Sequence, residues 1–266
     1  MSAGAAIEQL KKAQDKSVLY LDSGWQTLVD ALRDVASRSG VKVETGVRVD
    51  AVTRDATGAV RGVRLADGSV VEASTVIVAS SPSTAASLLE DSEQASLARW
   101  ADQAIPVRAA CLDLALSRLP KPRATFALGI DRPHYLSVHS ATARLAPEGS
   151  AMIHAAKYLP PVHNDSSESV ERDLESLLDL MQPGWREVVV YRRFLPDMIV
   201  MNALPLASLD GTRGRPGPQV IDVPGLFVAG DWVGEEGLLV DASLASARRA
   251  AEFITASQTV SIAATA

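Results

Sequence analysis

Pro224-Gly225-Leu226-Phe227-Val228-Ala229-Gly230-Asp231-Trp232 is followed, after a short loop, by Val240-Asp241-Ala242-Ser243-Leu244-Ala245-Ser246-Ala247-Arg248-Arg249-Ala250-Ala251-Glu252. The first run reads as a short buried strand ending in a glycine bend tipped with an acid. The second reads as a helix that starts abruptly. Gly230 has no side chain, so the backbone there can come close to a neighbour. The first turn of the helix offers free N–H groups and the positive end of its dipole. Together these can hold the sugar-phosphate and ring of a large anionic ligand.

Working outward, residues 17–89 read as one pattern. Ser23 and Gln26 make a capping-box pattern that opens a helix. Trp25, Leu28, Leu32 and Val35 recur at helical spacing there and are expected to form a buried stripe. Gly40 suits a left-handed cap. Val41 and Val43 predict a strand, Gly46 breaks it, and Val47, Val49 and Val52 begin another. Asp55-Ala56-Thr57-Gly58 is a turn. Val60, Val63 and Leu65 then alternate up to Asp67-Gly68, a hairpin signal. Val70 and Val71 return. Thr75-Val76-Ile77-Val78-Ala79 is an apolar strand ended by Ser80-Ser81-Pro82, and residues 83–103 predict helix. A three-strand meander in this place can cross between strands of a parallel sheet.

Residues 104–215 have a different texture. Strands are expected around 107–116, 125–130, 135–139, 152–158, 188–193 and 198–203. A helix over 169–181 has Val170, Leu174, Leu177 and Leu178 on its apolar face. Asp210 to Pro218, rich in Gly, Pro and Arg, reads as a linker.

The chain has 266 residues, enough for a sizeable core, and a net charge of -6, which excludes general nucleic-acid binding. The single cysteine, Cys111, excludes an internal disulfide and reads as a buried small hydrophobe. No apolar run approaches the ~20 residues that cross a bilayer. No export signal is visible, so a cytoplasmic protein is expected, with peripheral membrane contact left open. His134, His139, His154 and His163 are scattered without metal-ligand spacing, and no metal site is expected. His139 and His154 alternate with apolar neighbours, so either can face a pocket. Surface or satisfied core histidines remain the more ordinary explanation. No catalytic acid, base or nucleophile emerges.

The blocks Asp22-Ser23-Gly24-Trp25-Gln26-Thr27-Leu28, Gly62-Val63 to Pro82 and Gly225 to Glu252 resemble FAD-dependent oxidoreductases of the flavin amine oxidase superfamily. That group includes amine oxidases, protoporphyrinogen oxidase and phytoene-desaturase-like enzymes. The likeness is to their C-terminal two-thirds or so. It implies FAD as cofactor and dehydrogenation of an apolar small molecule by hydride transfer to flavin. The implied cofactor-binding residues are Val47 and Val49 (adenine side), Ala79 and Ser80 (strand end), Gly230, Asp231 and Trp232 (the bend), and Leu239, Val240, Asp241 and Ala242 (the helix mouth). Plainer explanations stand beside them. Val47 and Val49 are equally core valines. Ser80 and Ser81 are equally helix caps, Trp232 equally packing, and Asp241 equally a cap for its own helix. Leu239 stands where amine oxidases carry an aromatic residue, which favours an apolar substrate over an amine.

Dinucleotide binding in this fold uses a Gly-x-Gly-x-x-Gly turn. That sequence does not occur here; Gly211-Thr212-Arg213-Gly214-Arg215-Pro216-Gly217 has the wrong spacing. The expected fold is therefore α/β (α+β): an incomplete FAD-binding Rossmann-like domain with a β-meander (17–100 and 216–256), plus an inserted mixed-sheet substrate domain (101–215). The alternative is a non-catalytic truncated or split-gene module, which binds FAD only with a polypeptide supplying the missing segment.

Overall fold

The computed structural model describes residues 1–16, 19–89 and 95–265. In chain order the helices are α1 (Ala3–Lys16), α2 (Gln26–Arg38), α3 (Pro82–Ser87), α4 (Ala95–Gln103), α5 (Ser167–Met181) and α6 (Val240–Thr265). The strands are β1 (Val49–Arg54), β2 (Val60–Leu65), β3 (Val70–Glu72), β4 (Val76–Val78), β5 (Val107–Leu116), β6 (Phe126–Leu128), β7 (His134–Val138), β8 (Ala151–Leu159), β9 (Val189–Met201) and β10 (Leu226–Val228). The chain divides into two compact units, one of residues 1–15, 44–106 and 201–266, the other of 16–43 and 107–200. No helix among the described residues is long and apolar enough to cross a membrane.

The first unit is built on two small sheets. β1, β2 and β3 form the expected antiparallel meander. Its turns are set by carboxylates: Asp55 accepts from Thr57 N–H at 2.8 Å, and Asp67 accepts from Ser69 N–H at 2.9 Å. β10 pairs with β4 in parallel, Leu226 opposite Val76 and Val228 opposite Val78, although about 150 residues separate them in the chain. Val52, Val60, Val78, Leu97, Val220, Val223, Leu226, Val228 and Trp232 share the core of this unit. Each such fully buried side chain contributes roughly 1.5–3 kcal/mol.

The second unit is a five-stranded antiparallel sheet in the order β6-β7-β8-β5-β9. One of its faces is covered by α5, whose Val170, Leu174 and Leu178 pack on Leu112, Leu114, Leu136 and Ile153. Ser166 caps α5 by accepting from Ser169 N–H. Gln182 ends it, fully buried, with its amide bonded to Lys121 N, Lys121 O and Ala124 O.

Several expectations are corrected. Ser23 does not cap α2. Ser23 and Gly24 both lie in the left-handed region (φ 64 and 85), the helix begins after Trp25 without a side-chain cap, and Gln26 bonds Asp30 instead. The stripe of α2 is not buried: Trp25, Leu32 and Val35 are exposed, because no described element covers that face. Gly40 does end the helix, with Gly40 N–H bonded to Ser37 O and Val41 N–H to Ala36 O. Val41 and Val43 form no strand, since no described strand lies beside them to take their backbone groups. The helix over 83–103 is two, α3 and α4, with residues 90–94 outside the described ones. The two strands at 188–193 and 198–203 are one, β9. Its Pro196 is tolerated because β9 is an edge strand.

Candidate functional site: the closing bend and the mouth of the last helix

The bend after β10 lies within the first unit. Gly230 N–H donates to Ser246 Oγ at 3.0 Å, and Ser246 Oγ also reaches Gly230 O, which ties the bend to α6. Trp232 is 2% exposed and its Nε1–H donates to Ser80 O at 2.9 Å. Its ring lies 6.2 Å from that of Trp100. A Cβ on Gly230 would come within 2.8 Å of Trp232 Nε1. The glycine therefore admits an indole of the chain itself. Ser81 caps α3 by accepting from Thr84 N–H. Ser80 contributes its carbonyl to Trp232, and Ala79 is exposed at the end of β4.

Asp231 is 7% exposed, and both of its oxygens accept from Asn202, one from the backbone N–H and one from Nδ2, each at 2.9 Å. Its carboxylate fastens the segment that leaves β9. Asn202 lies 29 positions earlier in the chain, and nothing in the local sequence signals the pair.

The mouth of α6 is shaped by its preceding loop. Gly234, Gly237 and Leu239 all have positive φ, and Leu239, at 54°, is a leucine held in a conformation uncommon for it. Asp241 N–H donates to Leu238 O and Ser243 N–H to Leu239 O. Among the described residues, the N–H groups of Val240 and Ala242 have no hydrogen-bond partner. Asp241 is exposed and makes no side-chain bond to the helix mouth, so it does not consume these donors. Ala242 is itself buried with Gly237 lying close; a Cβ on Gly237 would approach Ala242 N to 3.1 Å.

Arg215 completes this cluster. Its Nη1–H donates to Gly237 O at 3.0 Å, while Nε and Nη2 are buried without a partner. Burial pushes its guanidinium below the usual range, and the charge of Asp231 works against that shift. It lines a small cleft of about 50 Å³ together with Trp100, Leu204, Pro205, Leu206 and Trp232. Sequence reasoning placed Arg215 in a linker; the only signal was a cation set between Gly214 and Pro216. The structure thus brings Gly230, Trp232 and Ser80 together, and separately Arg215, Gly237 and Ala242. Val47 lies just before the meander and Val49 opens its first strand; both are exposed, away from core positions.

These features define a fold with a parallel strand pair, a meander leading into the first of its strands, and donor groups gathered at a helix start. Residues 2–109 match the family model described as flavin containing amine oxidoreductase. That segment includes the middle block and excludes Gly225 to Glu252. The cofactor of that family is a flavin. No curated protein matches the chain significantly. An oxidoreductase from Methanosarcina mazei is similar at TM-score 0.66 and 22% identity, over 87% of this chain and 55% of the other. A redesigned putrescine oxidase is similar at 0.61 and 15%, over 87% and 53%. Cyclohexylamine oxidase from Brevibacterium oxydans is similar at 0.56 and 16%, over 87% and 53%. At these identities the likeness is one of fold. The chain spans about half the length of these solved relatives.

Proposed function

We propose that the chain is the flavin-and-substrate portion of an FAD-dependent oxidoreductase that dehydrogenates an apolar small molecule. In this reading residues 17–100 and 216–256 form an incomplete Rossmann-like cofactor portion, and residues 101–215 an inserted substrate domain. The observation that carries it is the set of unpaired donors at one place: Ala242 N–H at the helix mouth, and Nε and Nη2 of Arg215. Buried donors without partners are costly, about 1–3 kcal/mol each, and suit an electron-rich ligand edge. The donor chemistry therefore fits a flavin's carbonyl edge or its phosphates. A bound flavin supplies the hydride acceptor.

The chain's own residues divide the work of holding it. Val240, Asp241 and Ala242 present the helix start, where the dipole favours developing negative charge. Leu239 and Ala79 offer exposed apolar contact, and Val47 and Val49 the adenine-side contact. Gly230, Trp232 and Ser80 fix the bend, and Asp231 holds it to Asn202. The apolar lining of the cleft beside Arg215 supports an apolar substrate.

A second reading is a non-catalytic module that takes up FAD only with another polypeptide. Exposed Val49, Val70, Val71 and Ile77 favour it, since sheet residues of this kind are usually covered. Titration with FAD, read by flavin absorbance and fluorescence, tests both. Arg215→Met or Ala242→Pro is expected to weaken binding roughly tenfold or more, the loss of one charge-assisted or buried hydrogen bond. Because Ala242 is buried, circular dichroism of Ala242→Pro must first show α6 retained; Arg215→Met carries the test otherwise. A chain that takes up no FAD, alone or with a fragment carrying the glycine-rich turn, refutes both readings.

A further inference from the structure

The second unit carries a row of ionisable side chains that the flavin reading does not use. Leu112, Leu114, Leu136 and Ile153 face α5, so the alternate residues of the same strands project from the opposite face of the sheet. On that opposite face Ser137 of β7, His154 of β8 and Asp113 of β5 stand directly across from one another. Arg193 of β9, beyond β5, extends the row. His154 Nδ1 lies 2.7 Å from Asp113 Oδ1, and Arg193 Nη2–H donates to Asp113 Oδ2 at 2.7 Å. The ring of His139 lies 4.3 Å from that of His154, and Tyr20 lies 4.7 Å from His139.

The chemistry of this row follows from its hydrogen bonds. Burial pushes the Asp113 carboxyl up, but the bonds from His154 and Arg193 outweigh it and hold the carboxyl below its usual range. An ionised carboxylate only accepts, so the proton of neutral His154 sits on Nδ1 and the lone pair on Nε2. Among the described residues Nε2 of His154 has no partner, and it is not sealed from solvent; the side chain is 33% exposed. His139 is the opposite case. Its Nε2 is sealed and unpaired, and burial, with the His154 charge second, pushes its pKa down to about 4. His139 is therefore a neutral flat wall beside a basic nitrogen. Tyr20 and Tyr191 also border the row; burial pushes the Cys111 thiol up to about 11 and raises the Tyr135 phenol, so neither of these two carries charge near pH 7.

We propose that Asp113 and His154 form a proton-accepting binding dyad for the acidic hydroxyl of a phenol-like ligand on this face of the sheet. The ligand's O–H bond breaks, the proton passes to His154 Nε2, and the electron pair stays on the ligand oxygen. Asp113 remains ionised and stabilises the imidazolium; it is a positioning residue. Arg193 holds the other oxygen of Asp113 and keeps that carboxylate ionised. Its cation beside the dyad disfavours an ammonium ligand, so a phenol is favoured over an amine. The site needs no flavin.

The test uses 4-nitrophenol, whose phenolate absorbs at longer wavelength than the phenol. Added to the full chain under mildly acidic conditions, it is expected to gain phenolate absorbance, and His154→Phe to abolish that gain. Asp113→Asn should weaken the response at least tenfold and shift the imidazole nitrogen-15 signals of His154 away from the Nδ1–H tautomer, a change that mere loss of packing would not produce. If His154→Phe does not fold, carbethoxylation of His154 in the parent chain, blocked by 4-nitrophenol, reads the same contact. No phenolate gain, a gain that survives His154→Phe, or displacement by benzylamine at equal concentration overturns the proposal.

Discussion

Gly230→Ala is the sharpest probe of the closing bend. A methyl at this position would lie 2.8 Å from Trp232 Nε1 and 3.0 Å from Cδ1. Carbon contacts are comfortable at about 3.5–4.0 Å, so the indole or the bend must move by roughly 0.5–1 Å. The indole has little room, being 2% exposed and bonded to Ser80 O at 2.9 Å. Overpacking of this kind costs about 1–3 kcal/mol, and loss of the Ser80 bond about 0.5–1.5 more. Gly230 has φ 159, a backbone conformation alanine rarely adopts, so no gain from the unfolded chain offsets these costs. The net expectation is a loss of roughly 1.5–4.5 kcal/mol, read as a lower urea midpoint with unchanged slope. Trp232→Phe removes Nε1, so the double variant should be less destabilised than the sum of the singles, by about 1 kcal/mol. A Gly230→Ala protein within about 0.5 kcal/mol of the parent, or strictly additive costs, refutes the view that the indole is what the glycine admits.

Two further outcomes follow from the second unit. Leu174→Ala, at a fully buried position of α5, should cost about 2–5 kcal/mol, whereas Leu32→Ala, on the exposed stripe of α2, should stay within about 0.5; urea unfolding of both checks the contrast. The depressed pKa of His139 means that between its unfolded value near 6.5 and about 4 the unfolded chain binds the extra proton. Stability from this group is thus complete above about pH 6.5 and lost as pH falls toward 4. After discounting for partial exposure the loss is roughly 1–2 kcal/mol, and His139→Phe should flatten that part of a stability-against-pH curve.

How much of this was legible in the sequence differs from element to element. The face of α5 was readable because its period and its burial coincide: Val170, Leu174 and Leu178 all meet the sheet. The stripe of α2 has the same period and no cover, since periodicity reports amphipathicity and not the presence of a partner. The meander was readable from its turn carboxylates, Asp55 and Asp67, which act within a few residues of themselves. Gly230 was legible as a place of close approach, but not what approaches. Asp231 with Asn202, and Arg215 with Gly237, are joined across 29 and 22 positions, and a single sequence carries no trace of such pairings. Asp113 and His154 are hidden in the same way: cross-strand register, not spacing, brings them face to face.

The outer borders of the five-stranded sheet bear on how the chain behaves in company. One border, β6, is three residues long. The other, β9, runs for thirteen but carries Pro196, which has no hydrogen to give, next to the exposed Asp197. A foreign strand arriving there finds an interrupted row of partners and a fixed charge, which is how natural edges discourage runaway stacking. Replacing Pro196 with valine would be the simplest way to remove that guard.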